Sequence, residues 1–434
     1  LNSDNSNPLW LLGEKSVRLA LGLGVSFAVA RYLGPDQFGE FAVLQSVVLL
    51  LSAVANYGQE SVLVRDVLKA NSDREEQEVV SKIIVWRMIL GVSIQVAIIA
   101  LTVSLHKNES LLFLAFLGFA LIFPGYTIPE AYLQARLKGK KIFKASFLAL
   151  GVAAIFKIAV IFFDWGLKGI VLAFSLELCV LALIYYREMS VEINNSNFFK
   201  PLHFELEPFK SHLKECLPLV LAGVVAIGYM RLDQFMLAYM MGSESTGLYV
   251  AATKVTEMFY MAPIVITAAF VPIAINHSKV DDAEYRKAIA SLYSLVIWFG
   301  ITAGSLLWLA DTHIVAILYG EGFGQAAEVL AVYAWSLVFV GLGVVYGKKL
   351  VIESRSKLTL HRTLLGFLMN AVLNFLLIPN YGIVGAAAAT LASQAYANIL
   401  HDFISKKTRQ DGIEKIKGLF LMPTSALQTL NPRA

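Results

Sequence analysis

Six basic side chains fall inside long apolar stretches: Lys15, Arg18, Arg87, Lys157, Arg231 and Lys254. The same stretches hold Glu14, Glu130, Glu177, Asp233, Glu257 and Glu328. A charge at the centre of a membrane helix costs about 2.5–3.5 kcal/mol on insertion scales, so six cations facing lipid would cost roughly 15–20 kcal/mol. A whole fold is worth only about 5–15 kcal/mol. Most of these groups must therefore face protein or water. There they can bind an ion, relay a proton or tie helices together. Lys15 and Arg87 lie near span ends and can snorkel to the surface.

Helical spacing sorts the charges. Glu14, Arg18, Gly22 and Ser26 recur every four residues and form one polar or small stripe. Arg87, Gly91 and Gln95 do the same. Glu14 is the i+4 partner of Arg18 and reads as its ion-pair support; Glu257 plays that part for Lys254, three residues before it. Arg231 and Asp233, two apart, point to nearly opposite faces and cannot neutralise each other within one helix. The anion-binding candidates are thus Arg18, Arg231 and Lys254, with Arg87 and Lys157 second. Asp233, Glu130 and Glu177 are candidates for ion or proton coupling. For each residue the competing reading is an ion pair that only holds helices together.

The elements that position these residues follow from composition. The chain has 434 residues, 57% hydrophobic and 16% charged, against about 25% charged in soluble domains. Stretches long enough to span about 30 Å of hydrocarbon fall at 9–33, 38–58, 80–105, 110–133, 145–163, 166–187, 213–241, 246–275, 288–310, 325–352, 360–379 and 383–404. The expected fold is an all-α polytopic membrane protein of twelve transmembrane helices. Its first segment imitates a signal peptide, with Ala28-Val-Ala30 as the cleavage site, but it is read as a span.

An internal duplication divides the twelve into two homologous six-helix lobes. Leu33-Gly34 through Gly39-Glu-Phe41 returns 208 residues later as Met241-Gly242 through Gly247-Leu-Tyr249. Trp165-Gly166-Leu-Lys-Gly169 returns at an offset of 216 as Tyr381-Gly382-Ile-Val-Gly385. An even number of spans per repeat gives both the same orientation, related by an axis near the membrane normal. The expected units are an N-terminal lobe at 1–187, a cytoplasmic interlobe linker at 188–212, a C-terminal lobe at 213–404 and a cytoplasmic tail at 405–434. Within the tail, 413–421 can form a short interfacial helix.

Loop charge sets the orientation. Odd-numbered loops hold Arg31, Lys107 and Lys168, while the even-numbered loops and the tail hold 27 Lys and Arg. Both termini are expected in the cytoplasm. The basic loop at 135–144 then needs no nucleic acid to explain it; anionic lipid headgroups suffice. No phosphate-loop motif, H-E-x-x-H, Cys/His metal spacing or G-x-S-x-G occurs, so nucleotide hydrolysis by that route, metal sites and acyl transfer find no support. The two cysteines read as small buried hydrophobes.

Ala30-Arg-Tyr-Leu-Gly-Pro-Asp-Gln-Phe-Gly39, Tyr57-Gly58 and Arg65-Asp66 resemble the Wzx-type polysaccharide (O-antigen) repeat-unit flippases. So do Asp233-Gln-Phe-Met-Leu237, Met241-Gly242, Gly247-Leu-Tyr-Val-Ala-Ala-Thr-Lys254 and Asn380-Tyr-Gly-Ile-Val-Gly-Ala-Ala386. The resemblance covers nearly the whole chain. It implies the multidrug/oligosaccharidyl-lipid/polysaccharide exporter fold, with two lobes around a central cavity in the bacterial plasma (inner) membrane. It implies a substrate in which an oligosaccharide is joined by pyrophosphate to a polyprenol. Polysaccharide polymerase and chain-length machinery are the implied partners. No cofactor is implied; protons, sodium or the membrane potential would supply the energy. Guanidinium groups suit the pyrophosphate because they bind phosphate oxygens bidentately. The rival readings are a cation-coupled multidrug extruder of the same superfamily and a non-transporting scaffold of envelope assembly. An enzyme such as a glycosyltransferase lacks a soluble part large enough for a catalytic core.

Overall fold

The computed structural model describes residues 7–104, 109–122, 127–193, 206–278, 281–355, 357–404, 406 and 408–430. All regular structure among them is helical. Contacts divide the chain into two compact units, residues 1–33 with 40–227 and residues 34–39 with 228–434.

The first unit is built from α1 (Asn7–Asn56), α2 (Gln59–Lys69), α3 (Asp73–Ser104), α4 (Glu109–Ile122), α5 (Thr127–Ala135), α6 (Gly139–Phe162) and α7 (Gly166–Ile193). It also takes the first part of α8 (Leu206–Met241). Its core gathers Leu63, Ile84, Ile128, Leu133, Ile142, Tyr185 and Met189 where α2, α3, α5, α6 and α7 meet. The second unit continues through α9 (Ser243–Glu257), α10 (Met261–Ser278), α11 (Asp282–Leu309), α12 (Asp311–Tyr319), α13 (Ala326–Tyr333) and α14 (Ser336–Ile352). It ends with α15 (Lys357–Ala395), α16 (His401–Ile404), α17 (Arg409–Phe420) and α18 (Pro423–Leu430). Its core lies between α10, α11 and α14, around Ala288, Leu292, Val296, Leu342 and Val345.

Among the described residues, eight helical segments are long and apolar enough to cross a membrane, or nine if α13 and α14, bent by 42°, form one span. The protein is a multi-pass membrane protein. The two longest helices, α1 and α15, are not single rods. A straight 50-residue α1 would run about 75 Å, more than twice a bilayer core. It is interrupted at Gly34 (φ 72°, ψ 171°). The 39-residue α15 is interrupted at Gly382 (φ 57°, ψ −136°). There Asn370 donates to Thr390, twenty positions on, at 3.2 Å. Those residues would be about 30 Å apart in a straight helix, so α15 is a helical hairpin.

The repeated tracts carry matched backbone geometry. Gly242 repeats Gly34, at φ 88° and ψ −179°, and Gly166 and Gly382 both have positive φ, a conformation that L side chains adopt at a cost. The tracts also meet within the second unit. A Cβ on Gly39 would overlap the Ser243 carbonyl and lie 2.7 Å from the Gly247 nitrogen. A Cβ on Gly247 would overlap the Pro35 carbonyl and lie 3.0 Å from the Gly39 nitrogen. Position 35 answers 243 and 39 answers 247, each at the offset of 208. The contact is self-complementary, and small residues four apart let the two backbones touch.

Several boundaries differ from expectation. α7 continues to Ile193 and α8 starts at Leu206, so both ends of the 188–212 linker are helical, and 194–205 lie outside the described residues. The contact boundary falls later, after Ile227. The early part of α8 packs into the first unit, where Gly58 abuts Leu219 and Trp86 lies 4.5 Å from the His212 ring. The tail helix begins at Arg409 rather than 413 and is no mere surface element. It buries Asp411, Glu414, Lys415 and Gly418 against the rest of the unit.

Candidate functional site

The stripe of α1 forms as spaced. Arg18 Nε donates to Glu14 Oε1 at 2.6 Å, and its Nη2 donates to Ser146 Oγ at 2.9 Å. Ser146 also donates to Glu14 at 2.9 Å and lies 2.7 Å from the Tyr185 hydroxyl. Glu14 is buried, whereas the Arg18 side chain keeps 31% exposure. Glu14 thus orients a guanidinium that remains reachable. Glu130, on α5, accepts from Gln134 at 3.0 Å and lies within electrostatic reach of Arg18, Glu14, Glu60 and Lys15.

The second-choice cations are committed to protein partners. Arg87 is 1% exposed and donates to Asn56 Oδ1 at 2.8 Å. It does not snorkel, because Gly91 and Gln95 carry its face of α3 inward, with Gln95 donating to the Ala115 carbonyl at 2.9 Å. Lys157 pairs with Glu177 and stands 5.6 Å from the Phe174 ring centre. Glu177, expected as a coupling acid, thereby has a cation beside it.

In the second unit Arg231 and Asp233 do diverge. Arg231 Nη1 lies 3.7 Å from Glu257 Oε1. Glu257, expected to support Lys254, reaches across to α8 in this ion pair. Lys254 stands over Phe38, 5.0 Å from the ring centre. Asp233 is buried; it accepts from the Tyr249 hydroxyl, from the Gln234 backbone at 2.8 Å and from Thr390 at 3.4 Å. A buried chain of amides continues from there. Asn370 donates to Thr390, and Asn374 donates to Asn370 at 3.0 Å. The Asn374 Oδ1 has no hydrogen-bond partner among the described residues.

Asp233 and Glu257 share the wall of a cavity of about 300 Å³ with Tyr229, Tyr260, Arg362 and Asn398. Sequence reasoning missed Asn370, Asn374 and Arg362. The first two were detectable as amides four apart in an apolar span. Arg362 sits at a span end among loop cations and reads there as one of them. No cluster of three His, Cys, Asp or Glu suited to a metal occurs among the described residues.

A family described as "Polysaccharide biosynthesis protein" matches residues 28–326. A Haloferax volcanii protein assigned provisionally as a low-salt glycan biosynthesis flippase is 25% identical over 183 residues, 42% of this chain and 39% of that protein. The match therefore spans about two fifths of that relative's length. A Shigella dysenteriae protein assigned provisionally as an O-antigen transporter is 21% identical over 84% of this chain and 90% of its own. Among solved structures, the lipid II flippase MurJ in an inward closed conformation superposes with TM-score 0.73 at 14% identity, covering 97% of this chain and 90% of that one. An inward-facing multidrug resistance MATE transporter of the MOP superfamily gives 0.71 at 15% identity, covering 98% and 100%. These two likenesses show the fold.

Proposed function

We propose that this chain, which belongs to the polysaccharide biosynthesis protein family and has the fold of MOP-superfamily transporters, is a flippase for polyprenyl-pyrophosphate-linked oligosaccharide. It carries repeat units from the cytoplasmic to the outer leaflet by alternating access. The observation that carries this reading is Arg18, a guanidinium at membrane depth that Glu14 orients and that stays 31% exposed. A pyrophosphate needs such a group, since two parallel N–H donors match its oxygens. Arg231 and Lys254 complete the set; Arg87 and Lys157 rank below them, being held by Asn56 and Glu177.

Coupling by a proton or sodium ion belongs at Asp233. Its carboxylate and the Thr390 hydroxyl beside it are the hard oxygens that a small cation takes. Glu130 and Glu177 are the weaker candidates.

Twelve spans fit the helices once α1 and α15 are divided at Gly34 and Gly382 and the shorter α4 is added. In that topology both termini are cytoplasmic, and the membrane is the bacterial plasma (inner) membrane. A polysaccharide polymerase with its chain-length machinery would take the product.

The test is translocation of a fluorescent polyprenyl-pyrophosphate oligosaccharide in proteoliposomes. Arg18→Ala is expected to abolish transport that the intact protein supports. Transport by neither protein, with efflux of a lipophilic drug cation in its place, would overturn the reading in favour of a multidrug extruder.

A further inference from the structure

The cavity of the second unit is faced by a guanidinium that its surroundings leave unsatisfied. Arg362, on the second turn of α15, is 7% exposed. Its Nη1 has no hydrogen-bond partner among the described residues; Asp402 attracts the guanidinium electrostatically, but no ion pair to it is closed there. Its nearest organised contact is the Tyr346 ring, 4.9 Å from the guanidinium carbon. Buried cations are paired in almost all proteins, because desolvation penalises one left alone. A partner that arrives from outside resolves the conflict.

The rest of the lining defines that partner. Tyr229 and Tyr260 line it with their rings, the Tyr260 hydroxyl bonding Ser336, and Gln394 and Asn398 line it with amides that bond each other. Asn398 belongs to a π-helical turn at Tyr396–Leu400, a distortion frequent at functional sites. Glu257 and Asp233 stand on the same wall. Two carboxylates repel a multiply charged phosphate, but they accept hydrogen bonds from hydroxyls. One unsatisfied cation, two acids, amides and tyrosines suit a molecule with one carboxylate and several hydroxyls. A volume of about 300 Å³ lies at the small end of ligand pockets, enough for one ring.

We infer that this cavity is a pocket for a single acidic sugar of the hexuronate class, with Arg362 holding the carboxylate. The inference rests on the glycan-flippase reading and deepens it. It makes Arg362 a specificity residue that selects repeat units carrying a uronic acid.

The experiment titrates the full chain in nanodiscs with glucuronate, glucose and inorganic pyrophosphate by calorimetry. Glucuronate is expected to bind about tenfold or more tighter than glucose, the worth of one charged hydrogen-bonded pair. Arg362→Gln should erase that preference, and Arg362→Lys should restore part of it. The Arg362→Gln melting temperature should equal or exceed the parent's, since an unsatisfied buried charge stabilises nothing. Equal binding of the two sugars, binding of neither, tightest binding of pyrophosphate, or unfolding of Arg362→Gln would each overturn the pocket. Translocation by the intact protein separates the two readings. Transport without glucuronate binding removes the pocket alone; glucuronate binding without transport of any lipid-linked glycan removes the flippase and leaves the pocket.

Discussion

Asp233 and Lys415 are buried charges of opposite kinds, and their substitution should have opposite results. Asp233 takes its hydrogen bonds from neutral groups, so Asp233→Asn keeps most of them. We expect a folded protein whose transport no longer responds to a proton or sodium gradient, measured in proteoliposomes with each gradient imposed in turn. Lys415 is bound to a fixed partner. It is 1% exposed, donates to Asp402 and to the Asn398 carbonyl, and lies 3.6 Å from the Tyr346 ring centre. Lys415→Met strands the Asp402 carboxylate and should destabilise by about 3–5 kcal/mol, with Asp402→Asn in the same chain recovering part of it. Burial pushes the Lys415 ammonium down from its ordinary 10.5 to about 8. Between those values the unfolded chain binds a proton that the folded chain has shed, so stability rises with pH across that window. Thermal melts of the parent from pH 8 to 10 should show this rise relative to Lys415→Met; parallel melts would refute the assignment.

Elements that touch through backbone rather than side chains give a different kind of prediction. Gly39→Ala and Gly247→Ala each push a methyl group into the opposite backbone of the same self-complementary contact. Each should destabilise by about 1–3 kcal/mol or more. The double variant should fall short of the sum, because once the helices separate the second methyl meets less resistance. Gly22→Ala is the control, with nothing within 4 Å of its added carbon. Strictly additive losses in thermal melts would mean that the two clashes are independent. The all-helical, multi-pass character was legible in the sequence because length and apolarity alone decide it. The hairpin turns at Gly34 and Gly382 were legible as repeated Gly tracts. Pairings across elements were not. Lys157 and Glu177 lie on α6 and α7, and Arg231 and Glu257 on α8 and α9, so each match depends on the register of two helices. Spacing within one helix found Glu14 and Arg18 but not the reach of Glu257 to Arg231, because it cannot rank a neighbour on another helix.

For the whole molecule, the excess of Lys and Arg in even-numbered loops and tail makes orientation testable. Thr424, exposed on α18, can be changed to Cys, while native Cys179 and Cys216 sit within long apolar helices. A membrane-impermeant maleimide should label Thr424→Cys only after the cells are permeabilised. Labelling of intact cells would invert the topology and, with it, the direction of transport.

The paired Gly tracts are the trace that copying one half and fusing the copies would leave. The offset of 208 that aligns Gly34 with Gly242 sets Ala226 against Arg18 and Val25 against Asp233. The copied frame kept its turns and shed its charges selectively, leaving the reachable guanidinium in one copy and the buried acid in the other. With the two copies joined in one chain, each is free to keep a charged group that its counterpart lacks.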